Sequence, residues 1–153
     1  MKKENRKIMQ PYLPLPEITE IIQFEVPELF KEFQEVSDER KLYSAQRCTN
    51  KIESLGIINN HKKDGELTFP LPYQNSLEFD FKLCIALETL YIALNKVSEE
   101  ITGAKGGIVS ESDKSASATY DPMVVRSLKS CTFNNLKAYE LIYKYIPKSY
   151  YVR

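Results

Sequence analysis

The sequence predicts a mainly α-helical protein, a compact bundle of four or five helices with a small β-hairpin inserted near residues 57–70. Two observations carry this prediction. Apolar residues recur at three- and four-residue spacing along most of the 153-residue chain, which places them on one face of a helix. The Asp64 and Gly65 pair, which lies between two short apolar runs, is typical of a two-residue hairpin turn.

The first segment is predicted to be extended. Pro11, Pro14 and Pro16 each fix the backbone φ angle and disfavour helix in the preceding residue. We therefore expect residues 1–16 to form a Pro-rich arm that covers the surface of a single helical domain at 17–153. Two short helices should follow, divided near Val26 and Pro27, because proline is accepted in the first turn of a helix.

The third predicted helix has the clearest signals. Ser37 is a good N-cap residue, acidic residues follow it in the first turn, and Gly56 is suited to the helix end. Between these two limits, apolar residues recur at helical spacing: Leu42, Ala45, Cys48, Ile52 and Leu55.

A central helix is predicted over residues 83–101. Its apolar seam steps by four and three residues: Leu83, Leu87, Leu90, Leu94, Val97 and Ile101. The seam fits a helix in the middle of the bundle, or alternatively the contact surface of a homodimer through 83–101. Just before this helix, apolar residues alternate with charged ones over 77–83. Such alternation is typical of a strand, so a strand is the alternative there, although helix is favoured.

The last third of the chain is predicted to hold a loop and one long helix. Residues 103–120 are small and polar, which is typical of a flexible loop. Asp121 followed by Pro122 is a helix-start signal, and the apolar pattern beyond it runs to Pro147. We therefore expect a final helix of about 25 residues.

The charges are segregated along the chain, although they balance overall at 21 basic and 21 acidic residues. Residues 16–39 carry eight acidic side chains and one lysine, whereas residues 122–153 carry six basic side chains and one glutamate. Such a layout fits acidic and basic helices that pack together or face solvent, or a face that meets a charged partner.

The residue content argues against an enzyme and against a metal protein. His61 is the only imidazole, and it lies in the predicted hairpin, far in sequence from every cysteine. A nucleophile activated by a positioned base is therefore not expected. Cys48, Cys84 and Cys131 are too scattered for a zinc site and are expected to be buried, reduced thiols. We expect no catalytic residues, no metal and no cofactor.

The sequence also predicts a cytoplasmic protein. The apolar stretches fall far short of the roughly 20 residues that cross a bilayer. Pro-rich sequence follows the basic start, where a secretory signal would need an apolar region. We therefore expect no membrane partner.

The basic C-terminal end is the predicted partner-binding site. Its tyrosines offer large contact areas at low entropy cost, and its lysines add charge. The candidate residues are Lys137, Tyr139, Tyr143, Lys144, Tyr145, Lys148, Tyr150, Tyr151 and Arg153. We expect the partner to be another protein, with this chain acting as an inhibitor, immunity protein, adaptor or regulator.

A DNA-binding regulator is the alternative. The run from Ile52 to Phe69 resembles the end of the recognition helix and the first wing of winged helix-turn-helix proteins. The resemblance covers about 25 residues of a segment at 37–70, and upstream the sequence lacks that family's tight turn. It implies that nucleic acid is contacted by Arg47, Asn50, Lys51, Lys62 and Lys63.

Overall fold

A computed structural model describes residues 10–63, 65–105, 128 and 131–147 of the chain. Over these residues the protein is mainly α-helical, as predicted. The six helices are α1 (Leu15–Glu25), α2 (Pro27–Gln34), α3 (Asp38–Glu53), α4 (Phe79–Leu94), α5 (Glu99–Lys105) and α6 (Leu136–Tyr143). No described helix is long and apolar enough to cross a membrane.

Helix α4 lies at the centre of the bundle, in contact with α1, α2, α3 and α6. Ten of the thirteen residues from Phe81 to Ala93 are buried, and the other three are half-buried. This burial accounts for the mostly apolar sequence of the helix, in which Glu88 and Thr89 are buried polar residues. Leu90 is fully buried and Leu87 nearly so, which means that most of the predicted seam packs within the fold.

Helices α1 and α2 form as predicted, with Val26 between them and Pro27 at the first position of α2. Ile18, Ile22 and Phe33 are fully buried and attach both helices to the core. The chain before α1 is also packed, since Tyr12 and Leu13 are buried. Helix α1 begins at Leu15, two residues before the predicted start of the helical domain.

Helix α3 confirms the predicted cap. The Ser37 hydroxyl accepts a hydrogen bond from the Arg40 backbone N–H at 3.1 Å. Beyond the helix, Gly56 has a φ of 76°, a left-handed conformation that glycine adopts without strain. The predicted apolar face was wrong at Leu42, which is 43% exposed.

The predicted helix over 83–101 is interrupted. It begins earlier, at Phe79, and ends where Asn95 adopts a left-handed conformation with a φ of 57°. Asparagine tolerates this conformation, and the Lys96 N–H closes the end by donating to the Tyr91 carbonyl at 2.9 Å. Val97 therefore lies outside the helix and is 47% exposed.

The predicted β-hairpin near residues 57–70 was wrong, because no strand occurs among the described residues of this segment. Side chains bind the backbone groups that a strand partner would have used. Glu53 accepts from the Thr68 N–H at 3.0 Å, and Asn59 donates to the Thr68 carbonyl at 2.7 Å. Pro70 and Pro72 have no N–H to donate. Residue 64 lies outside the described residues.

The predicted 25-residue last helix was also wrong. Residues 131–135 are not helical, and α6 has eight residues, starting after Asn135. The Asn135 side chain accepts from the Ala138 N–H at 2.8 Å and caps the helix. The predicted start at Asp121 and residues 106–120 of the predicted loop lie outside the described residues. The loop prediction was wrong at 103–105, which belong to α5.

Candidate functional site

The predicted basic C-terminal site is partly built into the core. Tyr139 is 5% exposed, and its ring lies 5.9 Å from that of Phe133 and 5.7 Å from that of Tyr143. Tyr143 is half-buried, whereas Lys137 and Lys144 are exposed. Lys148, Tyr150, Tyr151 and Arg153 lie outside the described residues. Binding of a partner at this end stays a prediction.

Tyr145 joins this end of the chain to the segment before α4. Its ring meets that of Phe69 edge-on at 5.0 Å, and its hydroxyl donates to Glu78 Oε1 at 3.2 Å. Burial, together with the neighbouring Glu78 carboxylate, raises the pKa of Tyr145 to about 12. The ring therefore stabilises the fold as a neutral phenol near neutral pH.

The five candidate nucleic-acid residues differ in exposure and in their partners. Arg47 and Asn50 are exposed on α3, and Lys63 is exposed in the segment after it. Lys51 is turned towards the core, where its ammonium lies 2.6 Å from the Glu88 carboxylate. Lys62 lies 3.1 Å from Glu53. Two of the four predicted cations thus lie beside carboxylates of the protein, with 11% of the Lys51 side chain and 31% of the Lys62 side chain exposed.

Glu88 is a fully buried carboxylate that holds three parts of the fold together. Its two oxygens accept from the Asn134 N–H at 3.0 and 2.8 Å, and Oε1 accepts from the Asn135 N–H at 3.0 Å. Lys51 of α3 also donates to Asn134 Oδ1 at 3.0 Å. These contacts satisfy the carboxylate and give it a structural role.

Glu53 organises a second polar cluster at the end of α3. It accepts hydrogen bonds from the Tyr12 hydroxyl, the Thr68 backbone and hydroxyl, and Lys62. Burial acts to raise the pKa of Glu53, but these hydrogen bonds outweigh it and hold the pKa below its ordinary value. Burial and the Glu53 contact raise the pKa of Tyr12 far above its ordinary value.

Cys48, Cys84 and Cys131 are buried, as predicted. Burial raises the pKa of the Cys48 and Cys84 thiols well above the ordinary range, so both stay protonated near neutral pH. Among the described residues, no group of three or more His, Cys, Asp or Glu side chains could hold a metal ion.

The surface feature that best fits a binding site lies between α1 and the start of α4. Phe24 is 79% exposed and Phe79 is 54% exposed, and both line one open groove of about 370 Å³. We call it the Phe24–Phe79 groove. Its remaining lining residues are Glu17, Glu20, Ile21, Glu25 and Lys82.

The helical repeat explains how α1 builds this groove. Ile18 and Ile22 point into the core, whereas Glu17, Glu20 and Phe24 follow the spacing of one helix face turned away from it. On the other side of the groove, the buried Phe81 anchors the start of α4 in the core, whereas Phe79 stays exposed. The two phenylalanines are therefore held on packed helices.

The charge of the groove is mainly negative. Three carboxylates, those of Glu17, Glu20 and Glu25, line it together with the single ammonium of Lys82. Lys82 Nζ lies 3.0 Å from Glu17 Oε2, and both side chains are about one third exposed, at 32% and 36%. The groove thus combines two exposed aromatic rings with an excess of negative charge.

Other grooves in the described structure lack this combination. One of about 420 Å³ is lined by His61, Lys62 and Glu66 among others, with mixed charge and a buried Phe69. Another of about 490 Å³ has Asp38 facing Lys41. Neither brings two exposed aromatic rings together.

Sequence reasoning did not identify the Phe24–Phe79 groove, because its two phenylalanines are far apart in the chain. One signal was present on α1, where Phe24 lies on a face that is otherwise acidic. Comparisons with protein-family models, curated proteins and solved structures found no match to this chain. The geometry of its own residues is therefore the basis for the proposal that follows.

Proposed function

We propose that the protein is non-enzymatic and acts by binding another protein at the Phe24–Phe79 groove, as an inhibitor, immunity protein, adaptor or regulator does. The partner would present an apolar side chain close to positive charge. The observation that carries this proposal is the exposure of two phenylalanines, 79% and 54%, on neighbouring packed helices.

The rings of Phe24 and Phe79 leave apolar surface area in contact with water. Burying a phenylalanine side chain contributes about 1.5 to 3 kcal/mol when it is fully removed from water. Aromatic residues on rigid elements also dominate the binding energy of protein interfaces. Phe24 and Phe79 together can therefore supply several kcal/mol to an interface.

The charge layout favours a protein over DNA as the partner. A long polyanion would be repelled by the three carboxylates of the groove, and one predicted DNA-contacting lysine, Lys51, is held against the buried Glu88 carboxylate. Arg47, Asn50, Lys62 and Lys63 remain exposed. DNA binding through the 37–70 segment is thus the less supported proposal.

Affinity capture with matched variants tests the proposal. The wild-type protein, a Phe24→Ser/Phe79→Ser variant and a Tyr43→Ser control would be immobilised in parallel and exposed to lysate with and without nuclease treatment. Tyr43 is a suitable control, because it is 49% exposed and lies beside Arg40. Arg40 hydrogen-bonds to the Ile92 carbonyl, at the opposite end of α4 from Phe79.

The expected result is a protein that the wild type and the Tyr43 variant retain and that the double Phe variant loses. Circular dichroism should show the same helix content in all three proteins. A partner retained equally by the double Phe variant would contradict the proposed surface. Loss of the partner on nuclease treatment, together with a gel shift on duplex DNA, would favour the DNA-binding alternative.

A further inference from the structure

We infer that Lys82 occupies, in the free protein, the position that a cationic side chain of the partner takes at Glu17 in the complex. The inference rests on the proposed function, because it describes how the partner is recognised in the Phe24–Phe79 groove. The occupant is a short segment of another protein that carries an apolar residue near Lys or Arg.

The internal ion pair is the first support. Lys82 Nζ approaches Glu17 Oε2 to 3.0 Å, so one ammonium of this chain already binds a carboxylate of the groove. With Lys82 present the groove carries three negative charges and one positive charge. A partner ammonium or guanidinium that enters would be repelled by Lys82 and attracted by the carboxylates.

The exposure of the pair is the second support. About one third of each side chain is accessible to solvent, so the contact can open without uncovering a buried charge. Exposed ion pairs stabilise a protein only slightly, and an incoming cation can replace one at low cost. The exchange conserves one ion pair at Glu17 and releases Lys82 to solvent.

The dimensions of the α1 face define the binding segment. Glu17 and Phe24 are seven residues apart, which corresponds to about 10 Å along the helix axis. Glu20 lies between them on the same face, and Glu25 lines the groove beside Phe24. A segment that matches this face places its apolar residue on Phe24 and its cations up to about 10 Å away, roughly two helical turns.

A defined peptide tests the inference without knowledge of the natural partner. The probe is a dye-labelled peptide of about 14 residues with one leucine and three arginines. The arginines lie three, four and seven residues after the leucine. Two analogues replace the arginines by glutamate, or the leucine by serine. Fluorescence anisotropy measures binding to the full-length protein at low and at physiological salt.

The decisive variant is Lys82→Met, with Lys96→Met as its control. Lys96 is exposed and lies beyond the end of α4 that is opposite to Phe79. Both substitutions remove one lysine, so they change the net charge equally. Lys82→Met should tighten binding of the arginine peptide about two- to fivefold, the range expected from removal of one exposed ion pair. Lys96→Met should leave the affinity nearly unchanged at physiological salt.

A double-mutant cycle ties the effect to Glu17. Glu17→Gln should weaken the arginine peptide, and Lys82→Met should give no further gain in that background. An unchanged or weaker affinity for Lys82→Met alone would overturn the inference, as would failure of the arginine peptide to bind below about 1 mM.

The two proposals fail in distinguishable ways. If the glutamate analogue binds more tightly than the arginine peptide and Phe24→Ser abolishes that binding, the groove is a docking site but the partner is not cationic. If Phe24→Ser and Phe79→Ser leave the binding of every peptide unchanged, the groove is not the docking site, and the proposed function fails with the inference.

Discussion

Replacement of Glu88 by alanine should destabilise the protein by about 3 to 5 kcal/mol, the usual cost of removing one partner of a buried ion pair. The Glu88 side chain is fully buried, and only 11% of the Lys51 side chain is exposed. Without the carboxylate, the ammonium of Lys51 keeps Asn134 Oδ1 as an acceptor at 3.0 Å but loses its counter-charge. The backbone N–H groups of Asn134 and Asn135 also lose their acceptors.

The magnitude is large enough to measure and small enough to leave a folded reference. Domains of this size are stable by about 5 to 15 kcal/mol, so Glu88→Ala consumes a substantial fraction of the total. The milder Glu88→Gln keeps one acceptor oxygen and should remain folded. Urea denaturation followed by circular dichroism suits the protein, because it is helical and has no tryptophan.

A double-mutant cycle measures the interaction between Glu88 and Lys51. Glu88→Gln and Lys51→Met should each destabilise the protein, and the double variant should cost less than their sum by about 1 to 3 kcal/mol. Lys62→Met is the control, because it breaks a more exposed pair with Glu53 and should cost less than about 1 kcal/mol. A coupling below about 0.5 kcal/mol would refute the assignment of Lys51 and Glu88 as a stabilising buried ion pair.

Three further predictions follow from the core and its polar clusters. Leu90→Ala should cost about 2 to 5 kcal/mol in urea melts, whereas Val97→Ala on the same predicted seam should change stability by less than about 0.5 kcal/mol; equal losses would argue for a continuous helix. Because folding lowers the pKa of Glu53, its stabilising effect is present above pH 4.5, its ordinary pKa, and is lost as pH falls through the lowered value. Glu53→Gln should therefore reduce the loss of folding stability at acidic pH. An unchanged loss would exclude Glu53 as its origin. The Cys48 and Cys84 thiols should react with a disulfide reagent far more slowly in the native protein than in urea, and rapid native reaction would contradict their burial.

Local signals predicted the features that depend on a few neighbouring residues. The division at Pro27, the Ser37 cap and the glycine after α3 each follow from backbone preferences that act within one helical turn. The burial of the three thiols also followed from the sequence.

Two of the errors share one cause, which is competition from distant side chains. The Asp64 and Gly65 turn signal did not produce a hairpin, because Glu53 and Asn59 bind the backbone of Thr68. The apolar spacing of the last helix did not extend it through 131–135, because Glu88 binds the N–H groups of Asn134 and Asn135. Neither carboxylate is adjacent in sequence to the segment that it reorganises.

The candidate site was beyond sequence reasoning for a related reason. Phe24 and Phe79 belong to different helices, and their proximity depends on how α1 packs against α4. Conversely, the tyrosine-rich end looked like a surface because of its lysines, although Tyr139 packs inside the fold. Helical spacing predicts which residues share a face but not which faces meet.

Site-specific photo-cross-linking tests the central proposal most directly. A benzoylphenylalanine would replace Phe24 in one protein and Tyr43 in a second, and both would be irradiated in cells that produce the chain. The proposal predicts a discrete protein adduct from position 24 and none from position 43. When the irradiation is repeated in lysate, the yield of the position-24 adduct should fall as salt is raised and when the arginine peptide is added. Equal adducts from both positions, an adduct that nuclease removes, or no adduct from position 24 would contradict it.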